Sequence, residues 1–421
     1  MAVAGLLALA VAMGIGRFAF TPILPMMLHD GVVDLRTASW LASANYLGYL
    51  GGALLCTFQP MLWARLPHLP ALDGPTLVRI GLAGTAALTL AMALPVAALW
   101  PLLRAAAGVA SAMVFVFSSG WCLSQLAALG RAELGGAMFA GPGAGIVASG
   151  LLASAMVAGR WTSVEAWLVF GVLAAILSAS VWPVFKRAAP DRTAASEARV
   201  STVPSPETAS AAMAAAPPSD VPLAAVQAAH GRAEVATLAV AYGISGFGYI
   251  VTATFLPVIA RAALPAASPW LDLFWPIFGA GVILGALLAT RARVSGDLRL
   301  LLGGAYLVQA IGIAIGLAAP TAACFAIGSF LLGLPFTAIT YFALQEVRRL
   351  RPHHVAATTG LVTAMWSIGQ TAGPPMVAML LRRSAGVGAA FTSSLIVAAG
   401  ALVAGALVFF ASLQLWPKEG G

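Results

Sequence analysis

The chain has 421 residues, 61% of them hydrophobic and only 9% charged, with a mean hydropathy of +0.94. Soluble domains carry roughly 25% charged residues, so a soluble globular protein is excluded and lipid must be the solvent for most of this surface. The net charge of +8 and pI near 10.0 would suit a nucleic-acid binder, but the 22 basic residues stand singly or in small clusters between apolar runs and build no basic face, which excludes nucleic acid as a partner.

Taken in chain order, apolar runs long enough to span a bilayer cover about 3–28, 37–61, 77–97, 99–128, 134–158 and 165–186, then 234–260, 270–290, 299–319, 321–346, 356–381 and 387–413. Only helices and closed barrels satisfy every backbone group in lipid. These runs are too long and too uniformly apolar for barrel strands, so they are helices. Between the sixth and seventh lies an Ala-, Pro- and Ser-rich stretch with no apolar period. The reading is an all-α membrane protein of twelve transmembrane helices: an N-terminal six-helix half over 1–186, a flexible linker over 187–232 and a C-terminal six-helix half over 233–421.

Orientation follows from Lys and Arg. With the N-terminus inside, the outer segments hold only Arg36, Arg160, Arg261, Arg382 and Arg383, and nearly all other basic residues lie inside. The excess places both termini and the linker in the cytoplasm of a bacterial-type inner membrane. The first run begins almost at Met1 with no basic stretch before it, unlike a cleaved signal peptide; a start upstream or a short cytoplasmic end fits better.

The charges inside the runs carry the chemistry. Arg17 lies some 14 residues into the first run, about 21 Å along a helix. Arg104 lies in the outer half of the fourth. An arginine near the bilayer centre costs at least ~2.5 kcal/mol and must face a cavity or a partner. Snorkelling, or pairing with backbone carbonyls at a broken helix end, is the competing reading for both. No Asp or Glu occupies the middle of any run; all lie in loops, the linker or helix ends, Asp272 and Glu346 among them. An exporter of cationic drugs needs an embedded carboxylate, so this interior suits an anionic cargo such as a small organic acid. A coupling proton would then ride on the cargo's carboxylate or on His29.

Gly141-Pro142-Gly143-Ala144-Gly145 in the fifth run bends that helix rather than binding anything, because proline removes a backbone donor and clashes with the preceding turn. Tyr242, Ser245 and Tyr249 share one helical face in the seventh run, as do Gly333, Thr337 and Thr340 in the tenth. Such faces suit either a polar cavity or hydrogen bonds between helices. Cys56, Cys122 and Cys324 lie inside apolar runs without metal-ligand spacing, and the five histidines stand at run edges or in loops. Neither a cofactor nor an enzyme is implied. A channel or receptor is the other class; counterflow in liposomes would distinguish a carrier from it.

Several strings together resemble one family. Arg104-Ala105-Ala106-Ala107-Gly108 and the Gly141-Pro142 string resemble motifs of the major facilitator superfamily. Gly14-Ile15-Gly16-Arg17-Phe18, Ala44-Asn45-Tyr46-Leu47-Gly48-Tyr49, Gly246-Phe247-Gly248-Tyr249 with Ala253-Thr254-Phe255-Leu256-Pro257, and Gly369-Gln370-Thr371-Ala372-Gly373-Pro374 look like its YbfB/YjiJ-like group. The superfamily's usual loop motif between helices 2 and 3 is reduced here to Asp73, Gly74 and Arg79. The resemblance implies a monomeric secondary transporter working by alternating access, with helices 1 and 4 packed side by side around a central cavity. On that basis Arg17, Arg104, Tyr46, Tyr242, Ser245, Tyr249, Thr337, Thr340 and Gln370 are the candidate substrate-binding residues, and Gly141, Pro142 and Gly145 the candidate gating residues. A broad-specificity exporter of hydrophobic compounds is the alternative within the same class.

Overall fold

The structure, a computed structural model, describes residues 1–65, 72–131, 134–186, 232–291, 296–352 and 355–417. Among the described residues every regular element is helical. Nine segments of the described residues are long and apolar enough to cross a membrane: α1 (Ala2–His29), α3 (Gly74–Ala91), α4 (Ala97–Ala128), α5 (Gly135–Ala158), α6 (Ser163–Val181), α7 (Arg232–Ala263), α9 (Leu298–Ala318), α10 (Ala322–Leu350) and α12 (Val387–Leu415). Three further helices, α2 (Leu35–Arg65), α8 (Phe274–Arg291) and α11 (Val355–Arg383), take the places of the remaining expected spans. The linker expected over 187–232 lies outside the described residues except for Arg232, the first residue of α7.

Several expected helix ends move by a few residues, and the two that shorten most at a C-terminus do so ahead of a proline. α3 stops at Ala91 rather than near 97, and α6 at Val181 rather than 186. Pro95 and Pro183 follow these ends, and a proline disfavours helical geometry in the residue before it. α6 begins at Ser163, two residues before the expected start, where a reciprocal cap forms: the Thr162 hydroxyl accepts from the Glu165 amide, and the Glu165 carboxylate accepts from the Thr162 amide.

Several helices are interrupted. The first is α-helical over Ala2–Leu9, widens to a π-helix over Ala10–Arg17 and resumes at Phe20. α5 breaks between Met138 and Gly141, with Pro142 opening its second piece. α10 breaks between Gly333 and Phe336, at Pro335.

The six-helix pattern of contacts occurs twice. In the N-terminal half α5 packs on α1, α4 on α2 and α3, and α6 on α3; in the C-terminal half α11 packs on α7, α10 on α8 and α9, and α12 on α9. Lipid removes the hydrophobic drive for helix pairing, so these contacts depend on close backbone approach at small residues. A Cβ on Gly48 of α2 would stand 1.9 Å from the Ala105 carbonyl of α4, and one on Gly369 of α11 would stand 2.0 Å from the Gly243 carbonyl of α7. The halves meet along α2–α11, α5–α8 and α1–α7.

Of the acids that the sequence places at helix ends, Asp272 pairs with Arg261, while Glu346 joins Glu234 and Asp297 at the opposite end of the C-terminal half. Arg349 Nη2 donates to Glu234 Oε1 at 2.9 Å and to Glu346 Oε1 at 2.6 Å. Arg299 Nη2 pairs with Asp297 Oδ2 at 2.8 Å, while its Nη1 caps the carbonyls of Ser412 and Trp416 at the end of α12, each at 2.8 Å. One network thereby ties α7, α9, α10 and α12.

Candidate functional site at the seam between the halves

The π-helical turn decides where Arg17 points. It has one residue more per turn than an α-helix, so Phe18 N bonds to Met13 O, five residues back. Carbonyls at its end are left without helical partners, and α4 supplies them. Arg104 donates from Nη1 to Gly16 O at 3.3 Å and from Nη2 to Arg17 O at 3.2 Å. Ser111, two turns along the same face of α4, donates to Ala12 O at 2.6 Å. Asn45 Nδ2 in turn holds the Arg104 carbonyl at 2.8 Å. Helices 1 and 4 are therefore neighbours, as the family resemblance implies, and Arg104 meets the backbone of a broken helix.

Arg17 is only 1% exposed and lies at the seam. Its Nη2 donates to Gln370 Oε1 on α11, in the other half. Gln370 Nε2 passes the chain on to the Tyr249 hydroxyl at 2.6 Å. Aromatic rings surround the guanidinium: its carbon stands 4.3 Å from the Tyr49 ring centroid, 5.2 Å from those of Tyr46 and Phe18, and 5.4 Å from that of Trp366. A cation over such ring faces is attracted by their quadrupoles, more strongly when water is excluded. Arg17 Nε and Nη1 are buried without any hydrogen-bond acceptor among the described residues.

Other candidate residues fall around this centre. Tyr46 OH meets Thr254 Oγ1 across the seam at 2.8 Å. Tyr242 donates to Thr340 Oγ1 of α10 at 2.9 Å. The rings of Tyr242 and Tyr249 both stack on Trp366, at 6.0 and 5.8 Å between centroids. Thr337 keeps a hydroxyl without a partner among the described residues. Ser245 is buried on the Tyr242–Tyr249 face. His29 is exposed at the far end of α1, twelve residues and about 18 Å beyond Arg17, and is not near it. Gly145 packs α5 against the π-helical turn: a Cβ there would stand 2.6 Å from Ala10 O.

Two more contacts cross the seam on the same side of Arg17 as His29. Thr21 Oγ1 donates to Ala253 O at 2.9 Å and Ser43 Oγ to Thr371 O at 2.8 Å. On the opposite side, the α10 residues Thr337, Thr340, Tyr341 and Gln345 are half-exposed.

Known proteins show a matching pattern. The family described as the uncharacterised MFS-type transporter YbfB matches residues 9–217 and 209–410. The chain belongs to this family. Among solved structures, the nucleoside transporter NupG as its D323A mutant superposes with a TM-score of 0.68 at 16% identity, covering 98% of this chain and 99% of that one. NupG itself superposes at 0.63 with 14% identity, over 97% and 98% of the two chains. At such identity the likeness shows the fold alone, which is that of the major facilitator superfamily. No curated protein matches. As a family member the chain is a multi-pass membrane transporter of a small solute and not an enzyme.

The sequence did not single out Tyr49, Trp366 and Ser111 as parts of this centre. Tyr49 lies one turn from Tyr46, Trp366 one turn from Gln370 and Ser111 two turns from Arg104, so each shares a helical face with a residue already singled out.

Proposed function

We propose that the protein is a secondary active transporter of a small organic anion, and that Arg17 receives the anionic group. The observation that carries this is the partner of Arg17. A guanidinium 1% exposed meets a neutral amide, Gln370, and keeps two donors unused. Burying a cation without a counter-ion is costly. A carboxylate entering the seam supplies two acceptors in the plane of the guanidinium fork, a geometry that lysine cannot reproduce.

In this reading the anion replaces Gln370 as the acceptor. That exchange breaks the Arg17–Gln370 contact across the seam, so binding is coupled to separation of the halves. Arg104 supports the site through the backbone of Gly16 and Arg17. Tyr46, Tyr242, Tyr249, Thr337 and Thr340 line the path, and Gly141, Pro142 and Gly145 let α5 bend against α1. The half-exposed polar face of α10 is the approach, and the contacts of Thr21 and Ser43 close the other end. The six-helix halves, 1–186 and 233–421, move as the two bodies. The chain acts as a monomer in an inner membrane, with both termini cytoplasmic and the proton, where one is coupled, carried by the cargo's own carboxylate.

Counterflow of organic acids in proteoliposomes, normalised to inserted protein, tests this. Arg17→Lys should fold but lose much of its affinity, and Arg17→Gln nearly all transport; wild-type rate and affinity in Arg17→Gln would refute the reading. The aromatic rings around Arg17 favour one alternative, export of hydrophobic compounds. Resistance to a panel of apolar inhibitors in a pump-deficient strain, unchanged by Arg17→Gln, would select it.

A further inference from the structure

Basic residues are scarce at the end of the molecule where α2 begins, yet three of the five there converge. Arg36 of α2 with Arg382 and Arg383 of α11 line one cleft of about 550 Å³, together with Trp40, Pro375, Ala378 and Met379. The other two are placed differently: Arg261 is paired with Asp272, and Arg160 sits in the turn before α6. Arg382 and Arg383 make no ion pair among the described residues. Asp34, two residues from Arg36, interacts with it electrostatically while its carboxylate accepts from the Thr37 amide at 2.7 Å, and the cleft still carries an excess of positive charge.

The cleft is amphipathic along the membrane normal. On α2, Trp40 lies one turn inward from Arg36 and Leu47 two turns further on the same face; both are exposed, at 56% and 57%. On α11, Met379 lies one turn inward from Arg383 and Ile368 three turns further, at 45% and 49% exposed. Two helices from opposite halves thus present cations at the rim and an exposed apolar strip beneath them. A tryptophan at this depth is the usual interfacial anchor.

We propose that this cleft binds the headgroup of an anionic phospholipid, with its acyl chains laid along the α2–α11 seam. A soluble anion would use the arginines but not the strip; a zwitterionic lipid would use the strip but leave the excess positive charge unneutralised. Basic pockets between membrane helices recognise anionic headgroups through this combination. Because the cleft spans both halves where Ser43 also crosses to Thr371, the bound lipid holds this end closed.

The test is thermal denaturation and native mass spectrometry of the full chain in detergent, titrated with phosphatidylglycerol, phosphatidylcholine or glycerol phosphate. Wild type should retain phosphatidylglycerol selectively and melt at a higher temperature with it. Arg36→Gln/Arg382→Gln/Arg383→Gln should weaken that binding by roughly a hundredfold, while Arg160→Gln leaves it unchanged. Should the triple variant not fold, Trp40→Ala and Arg383→Gln alone carry the test. Equal response to phosphatidylcholine, equal stabilisation by glycerol phosphate, or undiminished selectivity in the variants would overturn the proposal. These readouts do not involve transport and stand apart from the role of Arg17.

Discussion

At the scale of single residues, the two membrane arginines do different work. Arg104 donates to two buried carbonyls released by the π-helical turn. Leaving such groups unpaired costs about 1–3 kcal/mol, so Arg104→Gln should lower the melting temperature clearly and alter substrate affinity less than Arg17→Gln does. A binding loss equal to that of Arg17→Gln with unchanged melting would contradict this. Arg17 instead meets a neutral partner, and converting that partner to a charge is informative. Gln370→Glu would place a permanent carboxylate against Arg17, stabilise the closed seam and compete with any anionic cargo; higher melting temperature with much reduced counterflow is the expected pair of outcomes. Both arginines stood out in the sequence because a cation inside an apolar run is costly. Which would meet a cavity and which the backbone of a broken helix was open there; Arg104 takes the second course. Trp366 and Tyr49 did not stand out, because an aromatic within an apolar run gives no contrast, and only the register between α1, α2 and α11 brings their rings to the guanidinium.

At the scale of helices, length and hydropathy were enough to place the spans and Gly141-Pro142 the break in α5, while several ends and the interruptions of α1 and α10 were not foreseen. Pro95 and Pro183 shorten α3 and α6 in ways that an apolar window passes over. The π-helical turn in α1 has no sequence signature of its own; it depends on Arg104 and Ser111, nearly a hundred positions away, capping what it leaves open. The glycines divide by what they face. Gly369→Leu should abolish folded protein on size-exclusion chromatography, since its Cβ would stand 2.0 Å from a backbone carbonyl that cannot move alone. Gly316→Ala in α9 meets nothing within 4 Å and should be neutral or stabilising by up to about 1 kcal/mol from helix propensity. The reverse order of stability would show that the glycine contacts do not control packing.

For the whole molecule, the basic-residue asymmetry supports an orientation that we propose with both termini cytoplasmic. Val32, between α1 and α2, and Leu129, after α4, are both exposed and lie in connections on opposite sides of the membrane. In intact cells a membrane-impermeant thiol reagent should label Val32→Cys and spare Leu129→Cys; the opposite pattern would invert the orientation. The division into two halves is an expectation drawn from the Ala-, Pro- and Ser-rich stretch between two sets of six apolar runs. Which end is closed was not legible there, because the contacts of Thr21, Ser43 and Tyr46 with the other half depend on how two bodies dock, and composition holds no record of docking.

The hydrogen bond from Thr21 to Ala253 spans 232 positions, and the same interval relates Gly14 to Gly246, Gly16 to Gly248, Pro25 to Pro257 and Gly141-Pro142 to Gly373-Pro374. Thr21 and Ala253 are therefore counterparts in a duplicated unit. Counterparts can touch only where the dyad relating the copies passes between them, so this bond marks the dyad. One turn away, the same interval makes Tyr249 the counterpart of Arg17, and both converge on Gln370. Duplication delivered two equal positions, and divergence has made one a cation and the other a phenol. The centre around Gln370 is thus polarised across the dyad, with a cation on its N-terminal side and a phenol on its C-terminal side. On the function proposed above, an anion taken up by Arg17 would stay with the N-terminal copy as the halves part, so its last contacts before release would be on α1 and α2.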